Sequence, residues 1–476
     1  MYDLVIIGGG VIGSMIARQL SKKQIKICVL EKENDVGMGA SKANSGIVHG
    51  GFDPEPNTLK AKLNSVGVEK LFAAAKELNV PIKRNGSLVC AFGKEEEGAI
   101  KELYSRGIQN KITGMEVISG DEARALEPNL SGDVTLALKV PSAGIVCPYE
   151  LTLAAMGNAM DNGVELLRNF KVTNIKREQN LFKITSQKGH TVTAKYLVNC
   201  AGAYSHKISE LAGDNSFKII PRAGEYMLLD KAEGNRVSHT IFQVPTKQGK
   251  GILVTPTVDG NLLTGPTAGV VQSAENTETT FTGLKTVEQL AKKSVPSVNF
   301  RQVITSFSGV RSSEKNGDFI IKFSSTVKNL LNVAAIDSPG LTCSVSIADY
   351  VVELLEKSGL NNPTKTNFNP NRPDPHFFRK MNDDEKDAFI KQNPHYGRII
   401  CRCEGVSEGE IKAAVKTNPK ALDVDGVKRR TRSGMGRCQG GFCMPYVMRI
   451  ISEETKIPME EITKKGEGSN LLSGRI

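Results

Sequence analysis

Tryptophan is absent from this 476-residue chain, and aromatic residues make up only 5% of it. Its Lys and Arg residues are spread along the whole length, with no dense basic run interleaved with aromatics. Nucleic-acid binding is therefore not expected, although the net charge is +11 and the pI about 9.1. The basic balance suits anionic cofactors and an anionic substrate instead. No run of roughly 18 apolar residues occurs, so no transmembrane helix is expected. The start, Met1-Tyr-Asp, leads straight into Leu-Val-Ile-Ile, without the basic start and longer apolar stretch of a signal peptide. The expected location is the cytoplasm, where thiols stay reduced. Length predicts about three domains, and 39% hydrophobic residues suffice for real cores.

Cysteine is scarce too. Cys28, Cys90, Cys147, Cys200 and Cys343 stand singly. The other four gather near the C-terminus as Cys401-x-Cys403 and Cys438-x4-Cys443. Four thiols at such spacings suit a soft metal centre. The loop Gly434-Met-Gly-Arg-Cys-Gln-Gly-Gly-Phe-Cys443 is glycine-rich, so its backbone can wrap a compact inorganic object. Four thiolates also make a closed zinc site, so zinc stands as the rival. Ser407-x-x-Glu410 reads as a capping box opening a short helix, and Met444 to Glu454 as a second helix.

At the other end, Tyr2-Asp-Leu-Val-Ile-Ile-Gly8-Gly9-Gly10-Val-Ile-Gly13 is a buried strand running into a glycine turn and a helix. Gly8 allows the tight turn, Gly10 the close approach of a pyrophosphate, and Gly13 close helix–strand packing. Glu31 ends the next strand, placed to take ribose hydroxyls. This is a dinucleotide-binding unit. A second GxGxxG, such as pyridine-nucleotide disulfide reductases carry for NAD, is missing.

The segment Gly37-Met-Gly-Ala-Ser-Lys-Ala-Asn-Ser-Gly-Ile-Val-His49-Gly-Gly51 is dense in small residues, so backbone can lie against a flat ring. With Leu197-Val-Asn-Cys-Ala-Gly202, Ser306-Phe-Ser-Gly-Val-Arg311 and Ile336-Asp-Ser-Pro-Gly-Leu-Thr342, it resembles the FAD-dependent oxidoreductases of the D-amino-acid oxidase superfamily. Within that superfamily, Asn44 to Gly51, Thr58-Leu-Lys-Ala61, Arg84 to Val89 and Gly224-Glu-Tyr226 resemble the glycerol-3-phosphate dehydrogenases and oxidases and the L-2-hydroxyglutarate oxidases. The chain departs from the second group at Leu253, where they carry histidine. It departs from the first at Phe52-Asp, where they carry Arg-Tyr.

The resemblance implies FAD contacts from Gly8, Gly10, Val11, Ile12, Gly13, Glu31 and Lys32. It implies more from Ala40, Ser41, Asn44, Ser45, Gly46, Val48, Val172, Ala201, Gly202, Gly309, Gly340, Leu341 and Thr342. It places His49 beside the flavin ring, as base, substrate contact or covalent attachment point. An imidazole suits removal of an alcohol proton as hydride leaves the adjacent carbon. Arg311 is implied as the clamp on a substrate phosphate, since a guanidinium fork suits phosphate or carboxylate. Gly50 and Tyr226 are further substrate contacts, and Lys250 a weaker one. Residues 398–455 resemble the bacterioferritin-associated ferredoxin-like [2Fe-2S] domain, with Cys401, Cys403, Cys438 and Cys443 as ligands. The arginines beside them, Arg402, Arg429, Arg430, Arg432 and Arg437, are expected to raise the cluster potential or to dock an acidic partner.

The expected fold is α/β: a Rossmann-like FAD-binding domain (1–85, 140–215 and 305–360), an inserted α+β substrate domain (86–139 and 216–304), a linker over 361–397 and a small α-helical [2Fe-2S] domain from 398 to 476. Residues 361–375 hold four Pro and five Asn, which defeats both helix and central strand. The expected reaction is oxidation of sn-glycerol-3-phosphate to dihydroxyacetone phosphate, with electrons leaving through the cluster to a partner subunit or carrier. Peripheral membrane association would come through that partner. The alternatives are L-2-hydroxyglutarate, an amine or amino acid as substrate, or a pure electron-transfer subunit.

Overall fold

The opening strand, Tyr2–Ile7, is buried over its last four residues, and Ile27–Leu30 is buried throughout. Strands buried on both faces belong inside a parallel sheet. The computed structural model describes residues 1–245 and 251–474 and pairs these two strands in parallel. Lys250 lies outside the described residues. Five parallel strands form the centre of the sheet, in the order Glu165–Leu167, Ile27–Leu30, Tyr2–Ile7, Thr191–Asn199 and Leu330–Ala334. The hairpin Val172–Glu178 and Leu181–Ser186 extends it, and Ile320–Phe323 pairs beyond Leu330–Ala334.

Alternate residues of the first strand feed opposite cores. Leu4 and Ile6 pack with Met15, Ile16, Leu151 and Ile347 from the helices Val11–Leu20, Pro148–Asp161 and Ser344–Lys357. Val5 and Ile7 pack with Phe182, Leu197 and Ile208 on the other face. Beyond Tyr2–Ile7 the chain turns to one face, and beyond Thr191–Asn199 to the other, through the helix Ser205–Leu211. Such a divergence leaves a crevice at the carboxyl ends of the strands, where open α/β sheets bind ligands.

A second, nine-stranded sheet covers that crevice. Ser87–Phe92, Glu116–Ser119 and Val134–Val140 come from the first insertion, and five more strands come from Ile220 to Val270. The ninth, Val303–Ser313, pairs with Ile220–Leu229 along its length, so a boundary at 305 would cut this strand. The two sheets keep separate cores.

Residues 361–375 form no helix or strand, as their composition dictates, but they are strapped to the parallel-sheet domain. Gln24 N–H donates to the Pro363 carbonyl, Arg18 to that of Pro370, and Asn158 to that of Asn369. The last domain is a short hairpin, Ile399–Cys401 with Val406–Ser407, and three helices, Glu408–Lys416, Val424–Thr431 and Met444–Thr455. The expected capping box is present: Ser407 accepts from the Glu410 amide, and Glu410 accepts from the Ser407 amide. Among the described residues no helix is long and apolar enough to cross a membrane.

Candidate active site and metal centre

The crevice encloses a cavity of about 2190 Å³. Its floor is the glycine turn. Gly8 has φ +111°, and a Cβ there would lie 2.4 Å from the Cys200 carbonyl oxygen. A Cβ on Gly13 would lie 2.0 Å from the Gly8 carbonyl oxygen, so the helix Val11–Leu20 can approach the strand only through glycine. The positive end of that ten-residue helix faces the cavity, where it suits a diphosphate. Glu31 lies on the wall and accepts hydrogen bonds from Gly9 N (2.7 Å) and Glu33 N (2.9 Å). Burial pushes its carboxyl up to about 7. Two buried carboxyl oxygens beside a helix N-terminus fit the ribose and diphosphate of FAD.

Most of the expected contact residues line this one cavity: Gly8, Gly10, Val11, Ile12, Glu31, Lys32, Ala40, Ser41, Asn44, Ser45, His49, Val172, Ala201, Gly202, Tyr226, Gly309, Arg311, Gly340 and Leu341. Gly13, Gly46, Val48 and Thr342 do not; they support the wall from behind. Thr342 Oγ1 accepts from the His49 amide at 2.9 Å. Gly50, expected against the substrate, is also outside the cavity lining. Its α-carbon abuts another element, since a Cβ there would lie 2.4 Å from Val140 Cγ1, so its smallness serves packing.

One strand pair, Ile220–Leu229 with Val303–Ser313, lines part of the cavity. Arg222 stands opposite Arg311, Gly224 opposite Gly309, and Tyr226 opposite Phe307. Directly opposed residues point to the same face. Tyr226 and Phe307 stack with ring centroids 4.8 Å apart, and the Ser45 hydroxyl donates to the Tyr226 oxygen at 3.4 Å. A Cβ on Gly309 would lie 1.9 Å from the Ala43 carbonyl oxygen, so the small-residue loop lies directly on this strand. Arg222 and Arg311 both line the cavity, and Arg222 Nε is buried without a hydrogen-bond partner among the described residues. Two guanidiniums side by side form a site for a doubly charged anion. Sequence reasoning missed Arg222, although the period-2 alternation through Tyr226 carries the signal. His49 Nε2 shares a hydrogen bond of 3.2 Å with the Ser338 hydroxyl, and its ring lies 5.9 Å from that of Phe242. Lys465 and Glu467, from the C-terminal domain, also line the cavity and were not foreseen.

The four C-terminal thiols form two pairs. Cys401 and Cys443 are buried and hydrogen-bonded to each other. Cys403 and Cys438, 3.6 Å apart, face outward. The Cys443 hydrogen bond draws the Cys401 thiol below its ordinary range, helped by backbone N–H groups of Gly434 and Glu404. Burial opposes ionisation of Cys438, but N–H groups of Gly440 and Phe442 outweigh it. Positive φ at Gly434 (91°) and Gly440 (90°) turns those amides inward. Thiols cradled by backbone N–H groups fit an iron–sulfur cluster, whose sulfurs take such hydrogen bonds.

Three of the five arginines expected to crowd the cluster or greet a partner are instead buried against the rest of the protein. Arg429 and Arg430 both donate to Asp35. Burial alone would raise the Asp35 carboxyl; Arg430 and then Arg429 hold it well below the usual carboxylate range. Arg432, buried with φ 66°, donates to Glu404 (2.9 Å), Asp259 (2.6 Å), Asn261 and Tyr149. It thereby staples the cysteine domain to both other domains. The Tyr149 hydroxyl also lies 3.4 Å from Met435 Sδ in the cysteine loop. Three residues upstream, the Val146 amide donates to the Gly46 carbonyl behind the cavity wall, at 2.8 Å. One short run of chain thus joins the cavity wall to the cysteine loop. Arg432→Ala leaves Asp259 without its ion-pair partner and the buried Glu404 with Lys231 alone. It is expected to destabilise the docked cysteine domain by about 3–5 kcal/mol, read as a shift in denaturant unfolding.

Comparison with known proteins defines the class first. Residues 3–354 match the FAD dependent oxidoreductase family, and residues 399–453 match the BFD-like [2Fe-2S] binding domain. The protein belongs to the FAD dependent oxidoreductases and carries a second, [2Fe-2S] cofactor at its C-terminus. More narrowly, it is an oxidoreductase of the glycerol-3-phosphate dehydrogenase type. It is 44% identical over 474 residues to a glycerol 3-phosphate dehydrogenase of Caloramator mitchellensis, covering 100% of this chain and 98% of that one. It is 35% identical to a glycerol 3-phosphate oxidase of Mycoplasma genitalium over 78% of this chain and 97% of that one. An L-2-hydroxyglutarate dehydrogenase of Bos taurus is 33% identical over 56% of this chain and 61% of its own length. The FAD-bound L-alpha-glycerophosphate oxidase of Mycoplasma pneumoniae superposes with a TM-score of 0.75 at 31% identity, over 78% of this chain and 98% of that one.

The FAD fit rests on the glycine contacts, which gives a direct check. Gly13→Val forces the helix off the first strand. The variant is expected to purify with little or no bound flavin, measured as flavin absorbance per polypeptide.

Proposed function

We propose that the protein oxidises sn-glycerol 3-phosphate to dihydroxyacetone phosphate and hands the electrons, through its C-terminal domain, to a protein acceptor. The carrying observation is the directly opposed pair Arg222 and Arg311, which line the same cavity as the nucleotide turn and His49. A phosphate monoester fills such a pair better than the single carboxylate of an amino acid. The full-length likeness to a glycerol 3-phosphate dehydrogenase supports the same substrate.

When bound, FAD would supply a hydride acceptor for the carbinol carbon and the [2Fe-2S] cluster a one-electron carrier. The chain does the rest. Arg311 and Arg222 hold the phosphate. His49 takes the hydroxyl proton at Nε2, where the substrate hydroxyl replaces that of Ser338, with its backbone pinned on Thr342. Tyr226, stacked on Phe307 and touching Ser45, fixes the wall beside the small-residue loop. The reading places the reaction in the cytoplasm, with any membrane association supplied by the acceptor.

Product analysis tests the reading. Incubation with sn-glycerol 3-phosphate and a small quinone is expected to yield one dihydroxyacetone phosphate per quinone reduced. Turnover of L-2-hydroxyglutarate or of an amino acid in its place would refute it.

A further inference from the structure

The thiol quartet is lopsided. Cys401 and Cys443 face the protein, whereas Cys403 is exposed and Cys438 half-buried. Around the open side stand Arg402, Arg437, Phe442, Pro445 and Tyr446, all exposed. Phe442, the residue just before the ligand Cys443, is 82% exposed. Tyr446 follows one helical turn later and is 46% exposed. Its ring lies under two guanidiniums, those of Arg449 (5.4 Å) and Arg398 (6.0 Å). An exposed aromatic pair held among arginines is the composition that anchors protein interfaces.

The surface charge on this face is mostly positive. Glu404 is buried beneath Arg432, and Glu408 beneath Arg398 and Lys412. Arg437 reaches the mostly buried Asp230, and Arg402 makes no ion pair among the described residues. The exposed acid is Glu453, beside Arg449. A second copy of this chain would bring the same basic face and be repelled.

We propose that Phe442, Pro445 and Tyr446, ringed by Arg402, Arg437 and Arg449, dock an acidic one-electron acceptor protein. It rests on the reading that electrons leave through the cluster. Each alcohol oxidised releases two electrons and two protons. Two acceptor molecules are reduced in succession at this face, one electron each, and the protons pass to solvent. Charge sets the encounter and the aromatic pair sets the fit.

The test uses the holoenzyme, with cytochrome b5 as an acidic acceptor and cytochrome c as a basic one. Pro445→Ser with Tyr446→Ser removes the anchor; Arg402→Glu with Arg449→Glu reverses the charge. Absorption and EPR spectra of the cluster confirm that each variant retains it. Calorimetric titration with oxidised cytochrome b5 needs no substrate. Wild-type affinity is expected to fall with added salt, and each double variant to lose about tenfold or more, as removal of interface anchors does. Substrate-driven reduction of cytochrome b5 should fall in parallel, while reduction of a small quinone stays unchanged. Equal binding by variants and wild type, tighter binding of cytochrome c, or no binding of cytochrome b5 would overturn the proposal. So would loss, in the same variants, of binding to phosphatidylserine vesicles with cytochrome b5 binding intact. If the substrate assignment is wrong, the assays driven by glycerol 3-phosphate fail but the titration still binds. If the docking face is wrong, the titration fails whatever the substrate.

Discussion

Replacing His49 by Ala is expected to slow flavin bleaching by glycerol 3-phosphate by about 10²–10⁴-fold, the usual worth of a positioned general base. The side chain is well placed to be lost cleanly. His49 hangs from the Thr342 hydroxyl by its own amide, and Asn64 donates to its carbonyl, so the backbone keeps its anchors in the variant. Bound flavin should therefore be retained in full. A histidine that merely packed against Phe242 would give a different result: flavin content would fall and the bleaching rate per bound flavin would not. His49→Gln, which keeps a hydrogen bond to Ser338 but accepts no proton, should be as slow as His49→Ala.

The second large effect is on binding. Arg311→Ala is expected to raise the KM for glycerol 3-phosphate by about 10–100-fold, since a charge-assisted hydrogen-bond partner contributes about 1.5–3 kcal/mol. With glycerol, which lacks the phosphate, the same substitution should change little. Arg222→Ala tests the pairing. Arg222 and Arg311 are directly opposed on neighbouring strands; if they share one ligand, as proposed, the double variant should lose less than the sum of the singles. Fully additive losses would mean that the two guanidiniums hold different groups.

Local sequence signals carried much of this site. The nucleotide turn, Glu31, the small-residue loop and each half of the cysteine quartet are local in sequence, and each is diagnostic because one local geometry demands particular residue types. His49 and Arg311 came from their setting within such stretches. What stayed hidden depends on partners distant in sequence. Arg222 acquires meaning only when Ile220–Leu229 is laid against Val303–Ser313. Arg432 read as one of five arginines tuning the cluster or docking a partner, until its partners Asp259 and Tyr149 were brought together from two other domains. Gly50, expected as a substrate contact from the resemblance, packs closely against Val140, a neighbour from the strand Val134–Val140. Lys465 and Glu467 reach the cavity from the far end of the chain, which no periodicity predicts.

The most direct test of the whole account is anaerobic mixing of the holoenzyme with sn-glycerol 3-phosphate while flavin and cluster absorbance are followed separately. The flavin should bleach first, and the cluster should reduce after it in the same protein, at a rate unaffected by enzyme concentration. A flavin that stays oxidised, or a cluster that stays oxidised beside a bleached flavin, would contradict it.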